Sequence, residues 1–298
     1  MDKLVEGENA PRNPLVAAPA LAVQFFLIPL VVVGITVLVY VGFRSLLTDQ
    51  RSAQDYLLEV QSGGTSRRWP AAYELSRMMA DPDVRADRSL VPALVKAFEQ
   101  AKDDDPRVRR YLALAIGRFD PPMPAEAVRD LTAALEDPDS ETRITAIWAL
   151  GSSGDPAVAS RLVPLYNSED AGIRKMVVYA LGALPGDAAL DTLATALRDE
   201  TPDVRWNAAV ALARHGSGAG VPVLGQMLDR QYLEDAVERE SRMDEDIDPV
   251  SDVMISGVRA AAALKAEDLR PAIRTLSEDD RSLKVRQAAI EALQDYGS

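Results

Sequence analysis

The side chains that could do chemistry in this 298-residue chain are few in kind. It contains no cysteine, and His215 is its single histidine, so thiolate chemistry and histidine-rich metal sites are not available to it. Acidic residues are abundant, 46 in all, and spacing alone cannot single out a general acid and a general base among so many. The sequence therefore predicts no catalytic residue, no metal site and no cofactor, and we expect that the chain is not an enzyme.

The other candidates are aromatic and basic residues that recur within a repeated phrase. The phrase starts at an arginine, with apolar residues three, four and seven positions later and a small residue, nearly always alanine, six positions later. Complete copies start at Arg109, Arg143, Arg174, Arg205 and Arg286. A looser copy starts at Arg68, and Gly257 replaces the arginine of a seventh copy. A repeat of about thirty residues is typical of a solenoid.

Each copy predicts the same pair of helices. An acidic, often proline-containing turn precedes the phrase, as at Asp105 and Asp137, and suits a helix N-terminus. Glycines such as Gly117 and Gly151 follow the phrase and predict helix C-caps. A second amphipathic helix comes next, and no stretch alternates apolar and polar residues as a strand would. We expect an all-α solenoid of six to seven helical hairpins over residues 64–298.

Two copies carry a known consensus most clearly, residues 201–212 (TPDVRWNAAVAL) and 105–117 (DPRVRRYLALAIG). Their pattern resembles HEAT repeats, in particular the phycobilisome-lyase HEAT-like type. The resemblance implies a ladder of ion pairs in which phrase arginines meet acidic turn residues of the next repeat. It gives a structural role to Arg109, Arg143, Arg174, Arg205 and Arg286, and it predicts an interruption at Gly257.

The resemblance also implies that the phrase helices line the concave groove of the superhelix. The residues one, two and five positions after the start would then point into the groove. The partner-binding candidates at these positions are Trp69, Tyr73, Arg110, Tyr111, Trp148, Lys175, Tyr179, Trp206 and Arg259. They include every tryptophan of the chain, and tryptophan, tyrosine and arginine carry much of the energy of protein interfaces. Alternatively, these rings fill gaps between alanine-rich helices.

The N-terminal segment is different in character. Residues 20–43 hold no charge. A helix of 24 mostly apolar residues is long enough to cross a membrane, so the sequence predicts a single membrane span here. It would follow a tail over 1–19 and lead into a juxtamembrane segment over 44–63. We expect an inner-membrane protein. Basic residues on the two sides of the span are nearly balanced, with a slight preference for a cytoplasmic solenoid.

An acidic insertion occupies residues 229–252, with ten acids against three arginines. It lacks the regular ligand spacing and the turn glycine of helix-loop-helix calcium sites, so it predicts a solvated or partner-facing loop. The net charge of −13 argues against nucleic-acid binding, which depends on basic residues that neutralise phosphates.

The sequence thus favours a membrane-anchored interaction scaffold or accessory subunit. Its groove would bind a protein partner, another subunit of a membrane complex, and no small-molecule substrate is expected. The resemblance implies an alternative, a bilin-lyase-like enzyme or chromophore-handling protein. HEAT-like iron hydroxylases carry repeated His-Glu motifs, which a single histidine cannot supply.

Overall fold

The computed structural model describes residues 28–47, 51–237 and 248–296. The chain divides into two compact units, residues 1–51 and 52–298. In the first unit, helix α1 spans Ile28–Leu47. Among the described residues, no helix has both the length and the apolar character that crossing a membrane requires. The predicted anchor over 20–43 and the membrane association are therefore not supported, and residues 20–27 lie outside the described part.

The second unit is built from helices, and its described residues contain no strand. Its α-helices are α2 (Ala53–Ser62), α3 (Thr65–Met78), α4 (Pro82–Ala86), α5 (Leu90–Gln100), α6 (Pro106–Gly117), α7 (Ala125–Ala133), α8 (Ser140–Gly151), α9 (Ala159–Leu162), α10 (Ala171–Ala183), α11 (Leu190–Ala196), α12 (Pro202–Arg214), α13 (Val221–Met227), α14 (Arg230–Val237), α15 (Pro249–Ala263), α16 (Arg270–Asp279) and α17 (Leu283–Asp295). Short 3₁₀ helices lie at Ala134–Glu136, Pro156–Val158, Val163–Asn167, Gly218–Gly220 and Glu267–Leu269. The predicted all-α solenoid is confirmed. Residues 238–247 of the acidic insertion lie outside the described residues.

The phrase helices form a continuous row. Each of α3, α6, α8, α10, α12, α15 and α17 packs against the next, and the intervening helices pack beside them. Turn aspartates start several phrase helices: the Asp105 carboxylate accepts the Arg107 backbone N–H at 3.0 Å, and that of Asp139 accepts the Thr142 N–H at 2.8 Å. These caps satisfy donors that have no partner within the helix.

Glycine sets how closely the phrase helices approach. A Cβ atom on Gly151 would lie 2.7 Å from the Cα of Ala180, and one on Gly117 would lie 2.7 Å from the Cα of Ala149. Both glycines lie within their helices, at the last residue, so the predicted C-cap role is wrong for them. Gly216, with a φ of +72°, does adopt the left-handed conformation beyond α12. The glycine of one repeat therefore packs against the recurring alanine of the next repeat.

The core changes at α12. One buried cluster extends from Ala53 to Leu212, and a second one starts at Trp206 and extends to Ala292. In α12 the position of the close-packing glycine is taken by Ala213, and the acidic insertion separates α12 from the next phrase helix, α15. The C-terminal repeats therefore bury a core of their own, and cavities lie where the two parts meet.

The glycine contact gives a stability prediction. We expect Gly151→Ala to lower the free energy of unfolding by about 1–3 kcal/mol, because the added methyl overpacks a rigid backbone contact. The matched control is Gly225→Ala, since a Cβ there would meet only the flexible end of Leu269 at 3.4 Å. It should gain up to about 1 kcal/mol from the better helix propensity of alanine. Urea unfolding measures both, and equal effects would contradict the contact.

Candidate functional site

Turn aspartates connect several repeats to the arginine of an earlier one. Arg109 grips the Asp137 carboxylate with two hydrogen bonds, from Nε to Oδ2 and from Nη2 to Oδ1, both 2.7 Å. The backbone carbonyl of Asp137 accepts a hydrogen bond from Arg143 Nη1 at 2.7 Å. One residue thus binds the arginine of the preceding repeat through its side chain and that of its own repeat through its backbone.

The same arrangement recurs at Asp199. Arg174 donates from Nε and Nη2 to the two carboxylate oxygens, at 2.9 and 3.0 Å, and Arg205 donates from Nη1 to the carbonyl at 2.7 Å. Burial acts to raise the pKa of Asp199, but hydrogen bonds from Arg174, the Thr201 backbone N–H and Tyr166 hold it below its ordinary value. Burial and the bond to Asp199 raise the pKa of Tyr166 to about 12.

The ladder continues past the copy that lacks its arginine. Arg230, from the insertion, donates to both carboxylate oxygens of Asp280, at 2.9 and 2.7 Å, while Arg286 Nη1 donates to the Asp280 carbonyl at 2.5 Å. The expected interruption at Gly257 is therefore wrong. Gly257 instead allows close packing of α15 against α13, because a Cβ there would lie 2.8 Å from the Cβ of Met227.

At the N-terminal end, four of the groove candidates lie on α3 and α6 near one another. The Arg107 guanidinium lies 4.4 Å from the centre of the Trp69 ring, and the rings of Tyr73 and Tyr111 meet edge to face at 5.1 Å. Tyr73 remains 39% exposed. Arg110 pairs with Asp139 of the next repeat at 3.2 Å. This N-terminal aromatic cluster is accessible and partly cationic.

Trp148 and Arg259 stand apart from the other candidates. Trp148 is half-buried, and its ring covers Gly117: a Cβ on that glycine would lie 2.5 Å from Cζ3 of the tryptophan. Trp148 therefore fills a gap between helices, as the alternative interpretation of these rings expected. Arg259 is exposed on α15 and borders a small cavity with Glu291 and Asp295.

The structure brings Lys175, Tyr179 and Trp206 together around one cavity of about 410 Å³ between α10, α12 and α15. Lys175 pairs with Asp203 at 3.1 Å, and the Arg214 guanidinium lies 5.6 Å from the centre of the Tyr179 ring. A second cavity of about 680 Å³ lies among α12, α14 and α15, and Trp206, Asp203, Asp252 and Val253 line both cavities. We call this pair of cavities the Trp206 site.

Trp206 itself is only 4% exposed. Its indole Nε1–H is buried and has no hydrogen-bond partner among the described residues. Sequence reasoning placed this ring on an open surface, but α14 and α15 cover it. A buried donor without an acceptor costs about 1–3 kcal/mol, so the position is costly in the protein alone.

Several residues of the Trp206 site escaped the sequence analysis. Val210 and Arg214 follow Trp206 at intervals of four residues on α12, so the helical period did contain a signal for them. Asp252 and Val253 come from the start of α15, after the insertion, and no local pattern connects them with α12. Within the described ranges, no three His, Cys, Asp or Glu side chains are grouped as a metal site would require.

Residues 91–182 and 161–241 match the family model for HEAT repeats, and together they cover just over half of the chain. The chain belongs to the HEAT-repeat family. It is 30% identical over 124 residues to the uncharacterized phycocyanin operon protein Z of Pseudanabaena tenuis, covering 39% of the chain and 61% of that protein. It is 37% identical over 92 residues to deoxyhypusine hydroxylase-B of Oryza sativa, covering 30% of each. The chain thus spans less than two thirds of either curated relative.

A solved structure, the CpcE–CpcF complex of phycocyanin lyase from Nostoc sp. PCC7120, shares the fold. The likeness covers 85% of this chain and 90% of that one, with a TM-score of 0.57 and 19% sequence identity. These likenesses overturn the expectation that the chain is not an enzyme, since a lyase shares its fold and a hydroxylase shares part of its sequence. The lack of cysteine and the single histidine exclude thiolate chemistry and histidine-rich metal sites, but not other kinds of catalysis. A protein also accelerates a reaction by holding reactants in place.

The ladder predicts an acid-sensitive component of stability. The pKa of Asp199 is lowered in the folded state, so its stabilising effect is present above the unfolded value near 3.8 and is lost as pH falls below it. Asp199→Asn should cost about 3 kcal/mol at pH 7, since it breaks a buried pair. Its free energy of unfolding should then fall less steeply than that of the wild type between pH 5 and pH 3, measured by urea unfolding.

The control for this prediction is Glu74→Gln, which removes the exposed Glu74–Arg77 pair. It should change stability by less than about 1 kcal/mol and leave the pH slope unchanged. Parallel slopes for Asp199→Asn and the wild type would contradict the electrostatic role of Asp199.

Trp148 and Tyr179 should respond differently to truncation. Trp148→Ala removes a ring packed on Gly117 and should cost about 2–4 kcal/mol. Tyr179 is 38% exposed, and Tyr179→Ala should cost less than about 1 kcal/mol, as is usual for surface substitutions. Equal losses in urea unfolding would show that both rings serve only packing.

Proposed function

We propose that this chain is a bilin-lyase-like protein that binds a linear tetrapyrrole in the Trp206 site and acts on it together with a protein partner. Support comes from the sequence likeness to a phycocyanin operon protein and the fold shared with a phycocyanin lyase. This was the alternative implied by the HEAT-like resemblance. The bilin-lyase-like function now has more support than the function of a non-catalytic interaction scaffold.

The make-up of the Trp206 site matches this ligand class. A bilin is an elongated conjugated molecule with propionate side chains at its edge and pyrrole N–H groups along its centre. Lys175 and Arg214 can meet carboxylates, whereas Asp203 and Asp252 can accept from N–H donors. Apolar walls with a few convergent polar groups, in cavities of several hundred Å³, are typical of small-molecule sites.

The observation that carries the proposal is the unpartnered indole of Trp206. Its Nε1–H is buried, and the Trp206 side chain lines both cavities of the site. Buried polar groups nearly always have a partner, and those that lack one call for an explanation. A lactam or carboxylate oxygen of a bilin would supply the acceptor, so binding would recover the free energy lost when the donor was buried.

The absence of cysteine restricts how this chain could handle the ligand. A thioether bond to a bilin needs a thiol, and no thiol of this chain can form one. We therefore propose that this chain holds the chromophore without a covalent bond and that any acceptor cysteine belongs to the partner. The solved lyase structure is itself a complex of two proteins. We place the partner contact at the N-terminal aromatic cluster, where Tyr73 is exposed.

Titration with biliverdin, followed by absorbance, tests the proposal. We expect saturable binding that Trp206→Phe weakens about 5–10-fold, since the change keeps the ring but removes a donor worth about 1–1.5 kcal/mol. Arg214→Gln should weaken binding similarly. The control Arg129→Gln alters an arginine on α7 that is 67% exposed and should bind as the wild type does.

Two outcomes would count against this function. Equal affinities for Trp206→Phe and Arg129→Gln would remove Trp206 from the site. Chromophore that stays on this chain after denaturation would contradict non-covalent binding. The melting temperature of each variant shows whether a weaker affinity reflects loss of the fold.

A further inference from the structure

Two rungs of the ladder have a serine where the others have an aspartate, and at one of them no other described side chain meets the arginine. The residue six positions before the phrase arginine is aspartate at Asp137, Asp199 and Asp280, but it is serine at Ser168. At the aspartate positions, Nε and Nη2 of an earlier arginine grip the carboxylate. At Ser168, the earlier arginine that would hold such a carboxylate is Arg143. We call the pair of Arg143 and Ser168 the serine rung.

The turn at Ser168 is otherwise built like the others. The carboxylates of Asp137 and Asp199 each accept the backbone N–H two residues ahead at 2.9 Å. The Ser168 hydroxyl likewise accepts the backbone N–H of Asp170 at 3.2 Å. The Ser168 carbonyl accepts from Arg174 Nη1 at 3.0 Å. Only the reach of the side chain differs, since the hydroxyl ends before it can meet Arg143.

Arg143 keeps half of its usual contacts. Its Nη1 donates to the carbonyls of Asp137 and Pro138, at 2.7 and 3.3 Å. Its Nε and Nη2, the atoms that grip a carboxylate elsewhere in the ladder, have no partner among the described residues. Nearby acids do not fill this role: Asp137 is bound by Arg109, and Glu136 is exposed and pairs with no described cation.

A cavity of about 240 Å³ lies at this rung. Its polar lining residues are Glu136, Asp137, Arg143 and Ser168. Its apolar lining comes from Leu135, Ile147, Leu165 and Ile173. Such a lining excludes water on one side and strengthens a charge-assisted bond. The cavity suits a group the size of a carboxylate, and it lies within the described ranges on all sides.

The other serine at this position has a neighbour that fills its place. Ser251 Oγ accepts from Arg230 Nη2 at 3.3 Å, and the arginine that precedes it, Arg205, has Tyr232 OH as a partner at 3.4 Å. Within the described part of the chain, no hydroxyl meets Arg143 at Ser168 as Tyr232 meets Arg205. The serine rung is therefore distinct from its counterpart.

We propose that the serine rung is a binding site for a single carboxylate, which completes the ladder from outside the chain. The guanidinium fork of Arg143 would hold it in the two-bond geometry that Arg109 and Arg174 show with aspartate. Its source is either a small carboxylate in solution or an aspartate or glutamate side chain of a bound protein. The proposal does not depend on bilin binding, since it involves another part of the solenoid.

The decisive variant is Ser168→Asp, which supplies the missing carboxylate within the chain. We expect it to raise the melting temperature by about 3–6 °C, as one added ion pair can in a domain of this size. Ser168→Asn is the matched control, nearly identical in shape but uncharged, and it should not raise the melting temperature.

Binding is read from the Arg143 Nε–H signal in a ¹H–¹⁵N spectrum, assigned with Arg143→Lys. The probes are sodium formate and the capped peptide Ac-Ala-Glu-Ala-NH₂, each compared with sodium chloride at equal ionic strength. A saturable shift in the wild type and in Ser168→Asn, but not in Ser168→Asp, supports the site. A response to formate alone assigns it to small carboxylates, and a response to the peptide assigns it to protein side chains.

Two results of the titration would overturn the proposal. One is an Arg143 signal that moves with neither probe. The other is a Ser168→Asp variant that responds to formate as the wild type does, because the built-in aspartate should then occupy the fork. The melting temperature of Ser168→Asp provides a separate reading, and no gain over Ser168→Asn would show that the fork of Arg143 cannot accept a carboxylate in this position.

Discussion

The bidentate bond between a phrase arginine and a turn aspartate is the interaction on which the row of repeats depends. Asp137 and Asp199 each hold one arginine through the carboxylate and another through the carbonyl. Both the distance and the rotation between successive repeats are fixed where these bonds form. Burial of the Arg174–Asp199 pair makes loss of either partner costly, because the other charge would remain without compensation. The alanine–glycine contacts then allow the helices to approach as closely as the ladder requires.

The Trp206 site arises where this regularity changes. Ala213 replaces the close-packing glycine in α12, and the insertion brings Arg230 into the ladder in place of the arginine missing at Gly257. Repeats on either side keep the ladder, so the chain accommodates the insertion without losing its row of helices. Cavities next to a buried indole are the consequence. A regular solenoid thus supplies the scaffold, and the irregular junction at α12 supplies concave space of the kind in which small ligands bind.

Much of the fold follows from the sequence because each repeat is specified locally. The phrase, the acidic turns and the helical period are visible within about thirty residues, and contacts between adjacent repeats do the rest. The role of Gly117 and Gly151 was misjudged because a glycine at a helix end is usually a cap, whereas the atoms that require it belong to the next repeat. Trp206 was expected in the open groove because its position within the phrase is outward in a regular array. The covering helices α14 and α15 come from an insertion that no period describes.

In the proposed function, Trp206 offers a buried donor to a linear tetrapyrrole. Its indole N–H gives a separate signal in a ¹H–¹⁵N spectrum, as do those of Trp69 and Trp148, and Trp206→Phe assigns it. On titration with biliverdin we expect the Trp206 signal to move the most and to saturate, while Trp148, packed over Gly117, stays in place. A Trp206 signal that stays unchanged while biliverdin binds would contradict the account.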